Sequence, residues 1–442
     1  MVGSLYTLGG AVARAATALA VSVAPSSNGK LAQSLRARRG LLDRIRARAA
    51  EVRDPSRPLI WLHAPSVGEG LQARPVAHAL RLAHPDWQFA YTYFSPSAER
   101  FAESVGADVT DYLPFDTVRD ADAMLDALKP TALVFVKLDV WPVLVERAVA
   151  RRIPVGLLSA TLSPASGRLG FFSRLALNDA YASLATVGAI DAANGERLLQ
   201  LGVRANVVRV TGDTRFDQVW ARAESVDRTS PLLSLLTSAR PTLVAGSTWP
   251  ADDAVLFDAW LAVRRAVPTA RLIIAPHEPT AAHIEPLETW ARKHKLRALR
   301  LSVLEERSSS TDAEADMIIL DRVGILGEVY AVASAAFVGG GFHSAGLHSV
   351  IEPAAFGVPV AFGPRHQMSR EAGLLLKAGG AAAVRTSRAL AEVLTQWLAD
   401  RNKREREGQR ARDVVRIELG ATARSVALVE DLIGHTSTFV EP

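Results

Sequence analysis

The stretch LIWLHAPSVGEGLQARPVAHALRLAHPDWQFAYTYF, residues 59–94, contains the pattern that decides the fold. The run 59–63 is apolar apart from its final His, which is typical of a strand buried on both faces of a parallel sheet. A glycine-containing loop and a helical stretch over 70–83 follow, and a second apolar run spans 88–94. The order strand, helix, strand predicts a parallel βαβ unit.

The same alternation continues along the chain as two series of similar size. Further strands are predicted at 132–137, 153–158, 185–190, 207–211, 242–246, 271–275, 297–301, 316–320, 335–338 and 358–361. We therefore predict an α/β protein with two Rossmann-like, doubly wound domains facing a cleft. The predicted divisions are an apolar and basic N-terminal segment 1–57, a first domain 58–217, a linker 218–240, a second domain 241–386 and a helical tail 387–442.

Composition narrows the function classes. The 442 residues are 49% hydrophobic and 22% charged, which is ordinary for a globular protein. With no cysteine in the chain, disulfides, cysteine-ligated metals and cysteine nucleophiles are excluded. The sequence also lacks a P-loop, a strand–GxGxxG fingerprint and an HExxH motif. Asp120 and Asp122 fit the first turn of a helix better than a metal site, so no metal is expected.

The positive charge is concentrated at the N-terminus. The formal net charge is +5, but residues 1–60 carry ten bases and three acids, so the remaining 382 residues sum to −2. These 382 residues carry no net positive charge and no basic stripe interleaved with aromatic residues, which argues against a nucleic-acid partner. Apolar residues 15–24 followed by the arginines of 36–57 fit a helix lying on an anionic membrane surface. An ordinary first helix, packed on the domain with solvated arginines, fits equally well.

Polar and charged residues end several strands of the first series. Ser66, Gly68 and Glu69 follow the strand 59–63, where open α/β sheets bind ligands, and Glu69 suits a general base. A glutamate favoured by the helix dipole is the alternative. Lys137 and Asp139 close another strand and share one side of it, although a surface ion pair would give the same pattern. Arg215, after the last strand, could stabilise charge on a substrate.

The second series ends its strands with small, polar and glycine-rich loops. Ser247 and Thr248 follow its first strand, and Pro276-His277 follows the next. The segment 337–360 runs from a strand through Gly339-Gly340-Gly341 into a short helix carrying Glu352. Such a loop lets the backbone wrap an anion, and Glu352 could bridge two ribose hydroxyls.

These motifs, in this order, resemble the 3-deoxy-D-manno-octulosonic acid (Kdo) transferases of lipopolysaccharide synthesis, over about residues 5–385. The family patterns H-x-x-S-x-G-E, F-V-K-x-[DE]-x-W, G-[DN]-x-[KR]-F-D, A-G-S-T and G-G-x-x-x-x-G-x-H-x-x-x-E-P-A all have counterparts here. The resemblance implies a GT-B fold with the donor nucleotide on the second domain and a membrane-associated N-terminus. It also implies an inverting enzyme that moves Kdo from CMP-Kdo to a lipid A precursor (lipid IVA) at the cytoplasmic face of the inner membrane.

Site residues are carried over position by position from this resemblance. Glu69 matches the general base, and Asp139 and Arg215 match transition-state stabilisers, where the family more often has Glu and Lys. Ser66, Gly68 and Lys137 are assigned to the acceptor side. The donor-side positions are Ser247, Thr248, Pro276, His277, Val323, Gly324, Ile325, Gly346, His348, Ser349, Val350, Ile351 and Glu352. His277, Ile325 and Ser349 depart from the family's usual Arg, Glu and Asn.

Two other interpretations stay open at this point. One is another GT-B transferase, or a sugar-nucleotide epimerase, that uses a UDP donor. The other is a non-catalytic, membrane-associated scaffold. No cofactor is expected, because CMP-Kdo is itself a substrate.

Overall fold

The computed structural model describes residues 30–307, 315–344 and 346–437 of the chain. It divides into two compact units. The first comprises the residues up to Asp217 together with the segment from Leu419, and the second comprises Gln218–Glu418.

The first unit is a seven-stranded parallel sheet covered by helices. Its strands are β1 Leu59–His63, β2 Gln88–Tyr93, β3 Val109–Tyr112, β4 Ala132–Val136, β5 Val155–Ala160, β6 Thr186–Ala189 and β7 Val208–Val210. Its helices are α1 Lys30–Ala37, α2 Leu41–Val52, α3 Val67–Ala83, α4 Glu99–Ala102, α5 Val118–Leu128, α6 Pro142–Ala150, α7 Phe171–Ala182 and α8 Ala192–Leu199. Short 3₁₀ helices lie at Pro96–Ala98, Glu103–Val105, Gly167–Leu169 and Ala205–Val207.

The helix α9, Thr214–Ser225, spans the boundary between the units, and the second unit repeats the architecture of the first. Its strands are β8 Thr242–Thr248, β9 Arg271–Pro276, β10 Ala298–Arg300, β11 Met317–Ile319, β12 Ala335–Val338, β13 Val360–Phe362 and β14 Ala381–Ala383. Its helices are α10 Pro231–Leu236, α11 Pro250–Ala266, α12 Ala281–Lys293, α13 Leu301–Arg307, α14 Leu326–Val329, α15 Ile351–Ala355, α16 Arg370–Ala378, α17 Ser387–Ala399 and α18 Arg401–Ile417, with a 3₁₀ turn at Tyr330–Val332. The chain ends with α19 Ala421–Ser437.

Strand order places a switch point in each sheet. The orders are β3-β2-β1-β4-β5-β6-β7 and β10-β11-β9-β8-β12-β13-β14, and every pairing is parallel. The direction of winding reverses between β1 and β4 and between β8 and β12. Connections diverge there and leave a crevice at the carboxyl ends of the strands, where such sheets bind ligands.

Burial explains why the central strands could be predicted. All five residues of β1 and all five of β4 are buried, because helices cover both faces of the sheet. The strands β3 and β14 and the helix α7 were not predicted. The sequence of β3, VTDY, is half polar, and that of β14 is three alanines, so neither has the apolar run of a central strand.

Two predicted boundaries differ from the structure. Residues 218–240, expected to be an irregular linker, contain the end of α9 and all of α10. The tail 387–442 is not one body, since α17 and α18 belong to the second unit and α19 to the first. Leu428, Val429 and Leu432 of α19 lie in the core of the first unit, which explains the return of the chain.

Only the part of the N-terminal segment from residue 30 onward lies within the described residues. Residues 1–29, including the apolar stretch 15–24, lie outside the described residues. The helix α2 buries Leu41, Ile45 and Ala49 against the first core, and Arg53 donates hydrogen bonds to the carbonyls of Leu128 (3.0 Å) and Lys129 (3.1 Å). Within the described part of the chain, no helix has the length and apolar character needed to span a membrane.

Candidate active site

Glu69 lies in the first turn of α3, directly after the carboxyl end of β1. Its carboxylate accepts hydrogen bonds from the Lys137 ammonium (2.8 Å) and from the Ser66 hydroxyl. Burial would raise the pKa of Glu69, but the hydrogen bonds from Lys137 and Ser66 outweigh it and hold the pKa below its usual value. The group is therefore ionised at neutral pH, as a proton acceptor must be.

Lys137 reaches Glu69 because the backbone turns sharply at the end of β4. Its φ of 67° is in the left-handed region, which is uncommon for a residue with a side chain. This conformation ends the strand at the switch point and brings the Lys137 side chain to Glu69.

Asp139 is held at the same edge by a chain of hydrogen bonds. Its Oδ2 accepts from Trp141 Nε1 (2.9 Å) and faces Nε2 of the buried His63 at 3.1 Å. His63 Nδ1 lies 3.0 Å from the Thr92 hydroxyl, which itself accepts from Trp61 Nε1 (2.9 Å). Because the carboxylate needs a donor, Nε2 carries a proton, and in the neutral ring Thr92 donates to Nδ1.

The electrostatics of Asp139 follow from that chain. Burial would raise the pKa of Asp139, but its contacts with His63 and Trp141, and the Arg168 guanidinium 3.9 Å away, hold it below the usual value. Arg168 also donates to the Leu138 carbonyl, as does the Tyr181 hydroxyl (3.0 Å). Asp139 is thus an ionised carboxylate in a fixed orientation, partly open to solvent.

Arg215 is oriented by a buried carboxylate. Two nitrogens of its guanidinium donate to Oδ2 of Asp213. The distances are 2.6 Å from Nη2 and 3.0 Å from Nε. Asp213 also accepts from Gln72 Nε2 (3.1 Å), and Gln72 lies one turn after Glu69 on α3. Because the Arg215 side chain is 37% exposed, it can still meet an external anion.

The first unit therefore brings its predicted catalytic residues to one edge of one sheet. Lys137 joins β4 to Glu69, His63 joins β1 to Asp139, and Gln72 joins α3 to the Asp213–Arg215 pair. Gly68 is exposed, and a Cβ there would lie 3.7 Å from the Ser66 hydroxyl oxygen. The tight position is Gly70, where a Cβ would lie 2.9 Å from the Tyr91 hydroxyl and closer still to Phe101.

In the second unit, the glycine-rich loop wraps an internal carboxylate. Asp252 of α11 is fully buried and accepts from the backbone N–H groups of Gly340 (2.7 Å), Phe342 (3.0 Å) and Trp249 (3.0 Å). The loop packs so closely on β8 that a Cβ on Gly339 would lie 2.3 Å from the Ser247 carbonyl oxygen. Two backbone N–H groups of the glycine-rich loop therefore already donate to Asp252.

An aromatic cluster lies at the carboxyl ends of β8 and β9. The Trp249 ring stacks on His277 (centroids 4.5 Å apart) and on His343 (4.5 Å), and His277 stacks on His348 (4.4 Å). Trp249 Nε1 donates to His348 Nε2 (3.1 Å), so the proton of neutral His348 is on Nδ1. Burial, with a contribution from His277, lowers the pKa of His348 to about 4. These flat rings suit stacking with a nucleobase.

A second group in this unit surrounds Glu352. Burial raises the pKa of Glu352, and Arg222 of α9 opposes that shift. Arg222 also donates to the Gly324 carbonyl (3.1 Å) and lies 3.6 Å from Glu328. Arg222 is therefore the cation of this site.

The other predicted donor residues take different positions. Thr248 and Pro276 are buried at their strand ends, Ser247 has a φ of 54°, and Val323 is 75% exposed. Gly346 (φ 90°) and Ser349 lie in the loop before α15, with Ser349 exposed. Val350 and Ile351 are buried, which leaves only their backbone groups for a ligand. Ile325 packs on the core beside α14.

Sequence reasoning assigned no role to several residues that shape the two edges. His63 was visible as the polar end of an apolar strand, and Trp249 as part of a strand-end motif. Asp252 and Arg222 had no such signal, because each acts on a loop about 90 or 100 positions away in sequence.

The described residues contain no group of three or more His, Asp or Glu side chains arranged to hold a metal ion. Asp122 pairs with Arg147 (2.7 Å) and with Arg151 (2.5 Å), so it is part of a surface ion-pair network.

Comparison with known proteins finds similarity to one family. Residues 33–218 match the family model described as 3-Deoxy-D-manno-octulosonic-acid transferase (kdotransferase). A 3-deoxy-D-manno-octulosonic acid transferase of Haemophilus influenzae is 26% identical over 84% of this chain and 86% of its own. Both findings agree with the resemblance of the motifs to the Kdo transferases. The Kdo transferase of Bordetella pertussis is 28% identical over 85% of this chain and 87% of its own.

Solved structures support the predicted GT-B fold. UDP-GlcNAc 2-epimerase from Neisseria meningitidis superposes with a TM-score of 0.57 at 13% identity, covering 83% of this chain and 100% of its own. The same enzyme from Methanocaldococcus jannaschii gives a TM-score of 0.53 at 16% identity, with coverage of 82% and 99%. At this identity the likeness concerns the fold of the chain and not its reaction.

Proposed function

We propose that this protein transfers Kdo from CMP-Kdo to a hydroxyl of a lipid A precursor, with inversion, in lipopolysaccharide synthesis. The observation that carries the proposal is the cluster at the first switch point, where two ionised carboxylates and an arginine stand at one edge of one sheet. Similarity to the Kdo transferases supports the donor class. The acceptor, lipid IVA, rests on the family resemblance of the motifs.

Glu69 is the general base in this proposal. Its ionised carboxylate removes the proton of the acceptor hydroxyl as that oxygen attacks the anomeric carbon of Kdo. Lys137 and Ser66 keep Glu69 charged between turnovers, and an acceptor hydroxyl can take the place of the Ser66 hydrogen bond. The bond from the anomeric carbon to the CMP phosphate oxygen breaks, and CMP leaves.

Asp139 and Arg215 stabilise opposite charges in the transition state. Positive charge develops on the sugar ring, and an oriented carboxylate such as Asp139 stabilises it. Negative charge develops on the leaving phosphate, which a partly exposed guanidinium such as Arg215 can neutralise. Because His63 and Asp213 fix both groups beforehand, little reorganisation is needed during the reaction.

The second unit is the proposed donor site. The rings of Trp249, His277 and His348 offer a stacking surface for cytosine, and Glu352 offers a carboxylate for the ribose hydroxyls. Since Asp252 already occupies two amides of the glycine loop, the single phosphate of CMP relies more on the hydroxyls of Ser247 and Ser349.

Localisation at the cytoplasmic face of the inner membrane is part of the same proposal. The support is the apolar stretch 15–24, followed by a basic segment that could meet anionic lipids. A flotation assay of the full chain with vesicles at low and high salt tests it. Loss of binding in salt indicates electrostatic association, and retained binding indicates apolar insertion.

The decisive experiment is a transfer assay. The protein is incubated with CMP-Kdo and tetra-acylated lipid A precursor, and the product is weighed by mass spectrometry. Addition of the mass of one or more Kdo residues supports the proposal. Stabilisation against heat by UDP and not by CMP, with no product formed, contradicts it.

A further inference from the structure

The first unit contains a second concave site outside the edge already described. It is a cavity of about 450 Å³ between the turn joining α1 to α2 and the segment that leads from β3 into α5. We call it the arginine pocket, because its lining includes Arg38, Arg39, Arg46 and Arg119. Its volume is within the range of small-molecule sites.

Two of these arginines, Arg38 and Arg46, already have partners within the protein. Arg38 donates to the carbonyls of Leu113 (2.8 Å) and Phe94 (3.1 Å), and its guanidinium lies 4.0 Å from the centre of the Phe94 ring. Arg46 lies 3.2 Å from Asp43, an exposed pair that contributes little to stability.

The other two are available to a ligand. The side chains of Arg39 and Arg119 are exposed, and neither has a hydrogen bond or ion pair within residues 30–307, 315–344 and 346–437. Two such guanidinium groups at one cavity favour an anion with several oxygens, since each can donate two parallel hydrogen bonds to a phosphate.

The pocket lies beside the catalytic edge. The Phe94 ring, on which Arg38 stacks, is 5.2 Å from the Trp141 ring, and Trp141 donates to Asp139. Two aromatic side chains therefore separate the pocket from the catalytic carboxylate. Leu35, Leu41 and Leu42 also line the cavity and give it an apolar side.

We infer that the arginine pocket binds a phosphate monoester of the acceptor and so positions the acceptor hydroxyl for Glu69. The inference rests on the proposed function and extends it. An amphiphilic phosphosugar fits a cavity with two available guanidinium groups and an apolar side. The phosphate stays bound while the sugar lies towards Asp139.

The kinetic test uses the double variant R39Q/R119Q in the full-length protein. We expect its KM for the phosphorylated lipid A precursor to rise about tenfold or more, as for loss of charged hydrogen bonds. The kcat and the KM for CMP-Kdo stay as in the wild type. With an acceptor stripped of its phosphates, the two proteins have equal KM values. The matched control is R100Q, since Arg100 is an exposed arginine of the same unit outside the pocket.

A wild-type KM in the double variant, or an equal loss with both acceptors, overturns the inference. A binding test needs no turnover and separates it from the transfer reaction. Calorimetric titration with glucosamine 1-phosphate should give heat with the wild type and with R100Q but not with R39Q/R119Q, and glucosamine should give none. If the wild type transfers no Kdo but shows this binding pattern, the proposed function fails and the pocket stands. If it transfers Kdo and R39Q/R119Q behaves as wild type in both tests, the pocket fails alone.

Discussion

The carboxyl edges of the two parallel sheets each have a switch point, but they carry different side chains. At the first edge, Glu69, Asp139 and Arg215 each face a side chain of complementary charge or hydrogen-bonding character. At the second, the one fully buried carboxylate, Asp252, is bonded to backbone N–H groups, and stacked rings surround Trp249. The same fold thus presents paired, charged side chains at one edge, which suits the proposed proton transfer, and stacked rings beside a bonded loop at the other, which suits the proposed base stacking.

The strongest way to break this comparison is to remove the base from the first edge. Glu69→Gln should lower the rate of Kdo transfer by about 10²- to 10⁴-fold, because an amide accepts no proton. CMP-Kdo binding, measured by calorimetry, should stay near the wild-type value. The matched control is Glu103→Gln, an exposed glutamate of the same unit. Turnover of Glu69→Gln at the wild-type rate would remove Glu69 from the mechanism.

At the second edge, replacing Asp252 should lower the free energy of unfolding. Asp252→Asn leaves backbone N–H groups of the glycine loop without a charged acceptor, which we expect to cost about 3 kcal/mol in the free energy of unfolding. Urea denaturation measures it. Asp258→Asn, an exposed position on the same helix α11, should change little. Equal stabilities for the two variants would show that Asp252 does not organise the loop.

A smaller effect is expected from removing the positive charge beside Glu69 at the first edge. Lys137→Met removes a hydrogen bond that lowers the pKa of Glu69, so that pKa should rise. Activity requires ionised Glu69, and the acid limb of the pH–rate profile should therefore move to higher pH. Lys129→Met is the control, since Lys129 is exposed and also has a positive φ of 43°. An unshifted acid limb would mean that another group controls it.

The smallest effect concerns two groups of the second unit with opposite pH dependence. His348 has a pKa lowered to about 4 by burial and His277, so its contribution to stability is present above about pH 6.5 and is lost as the pH falls to 4. Burial raises the pKa of Asp253 to about 7, so its contribution is present below about pH 3.9 and is lost as the pH rises through 7.

Urea unfolding across this pH range separates the two contributions. The stability of the wild type relative to His348→Gln should increase with pH between about 4 and 6.5, whereas its stability relative to Asp253→Asn should decrease between about 4 and 7. If both stability differences changed in the same direction as the pH rises, the assignment would be contradicted.

Much of the fold could be predicted, for reasons visible in particular elements. The strands β1, β4, β8, β9 and β12 are short apolar runs because helices cover both faces of the sheets. The strand β14 could not be found this way, since three alanines have no strand signal. The boundary at 217/218 agrees with the predicted end of the first domain, although it lies inside the continuous helix α9.

The candidate site divides in the same way. Glu69, Lys137 and Asp139 could be chosen because polar residues that end apolar strands converge at one edge of a parallel sheet. Their partners could not, since hydrogen bonds such as Gln72 to Asp213 join positions 141 residues apart. The sequence of the glycine-rich loop predicts anion binding, and only the packing of the loop on α11 shows that Asp252 accepts two of its backbone N–H groups.

The sequence by itself determined the doubly wound architecture, the resemblance to the Kdo transferases and the residues at the strand ends, because hydrophobic periodicity and motif spacing are local properties of the chain. Only the tertiary structure decided which charges are paired and which remain available. Pairing depends on distances of about 3 Å between groups that the chain brings together from remote positions. The arginines before β1 show this: along the sequence they form one basic run, but in the folded unit Arg38 is held by backbone carbonyls while Arg39 is open to a ligand.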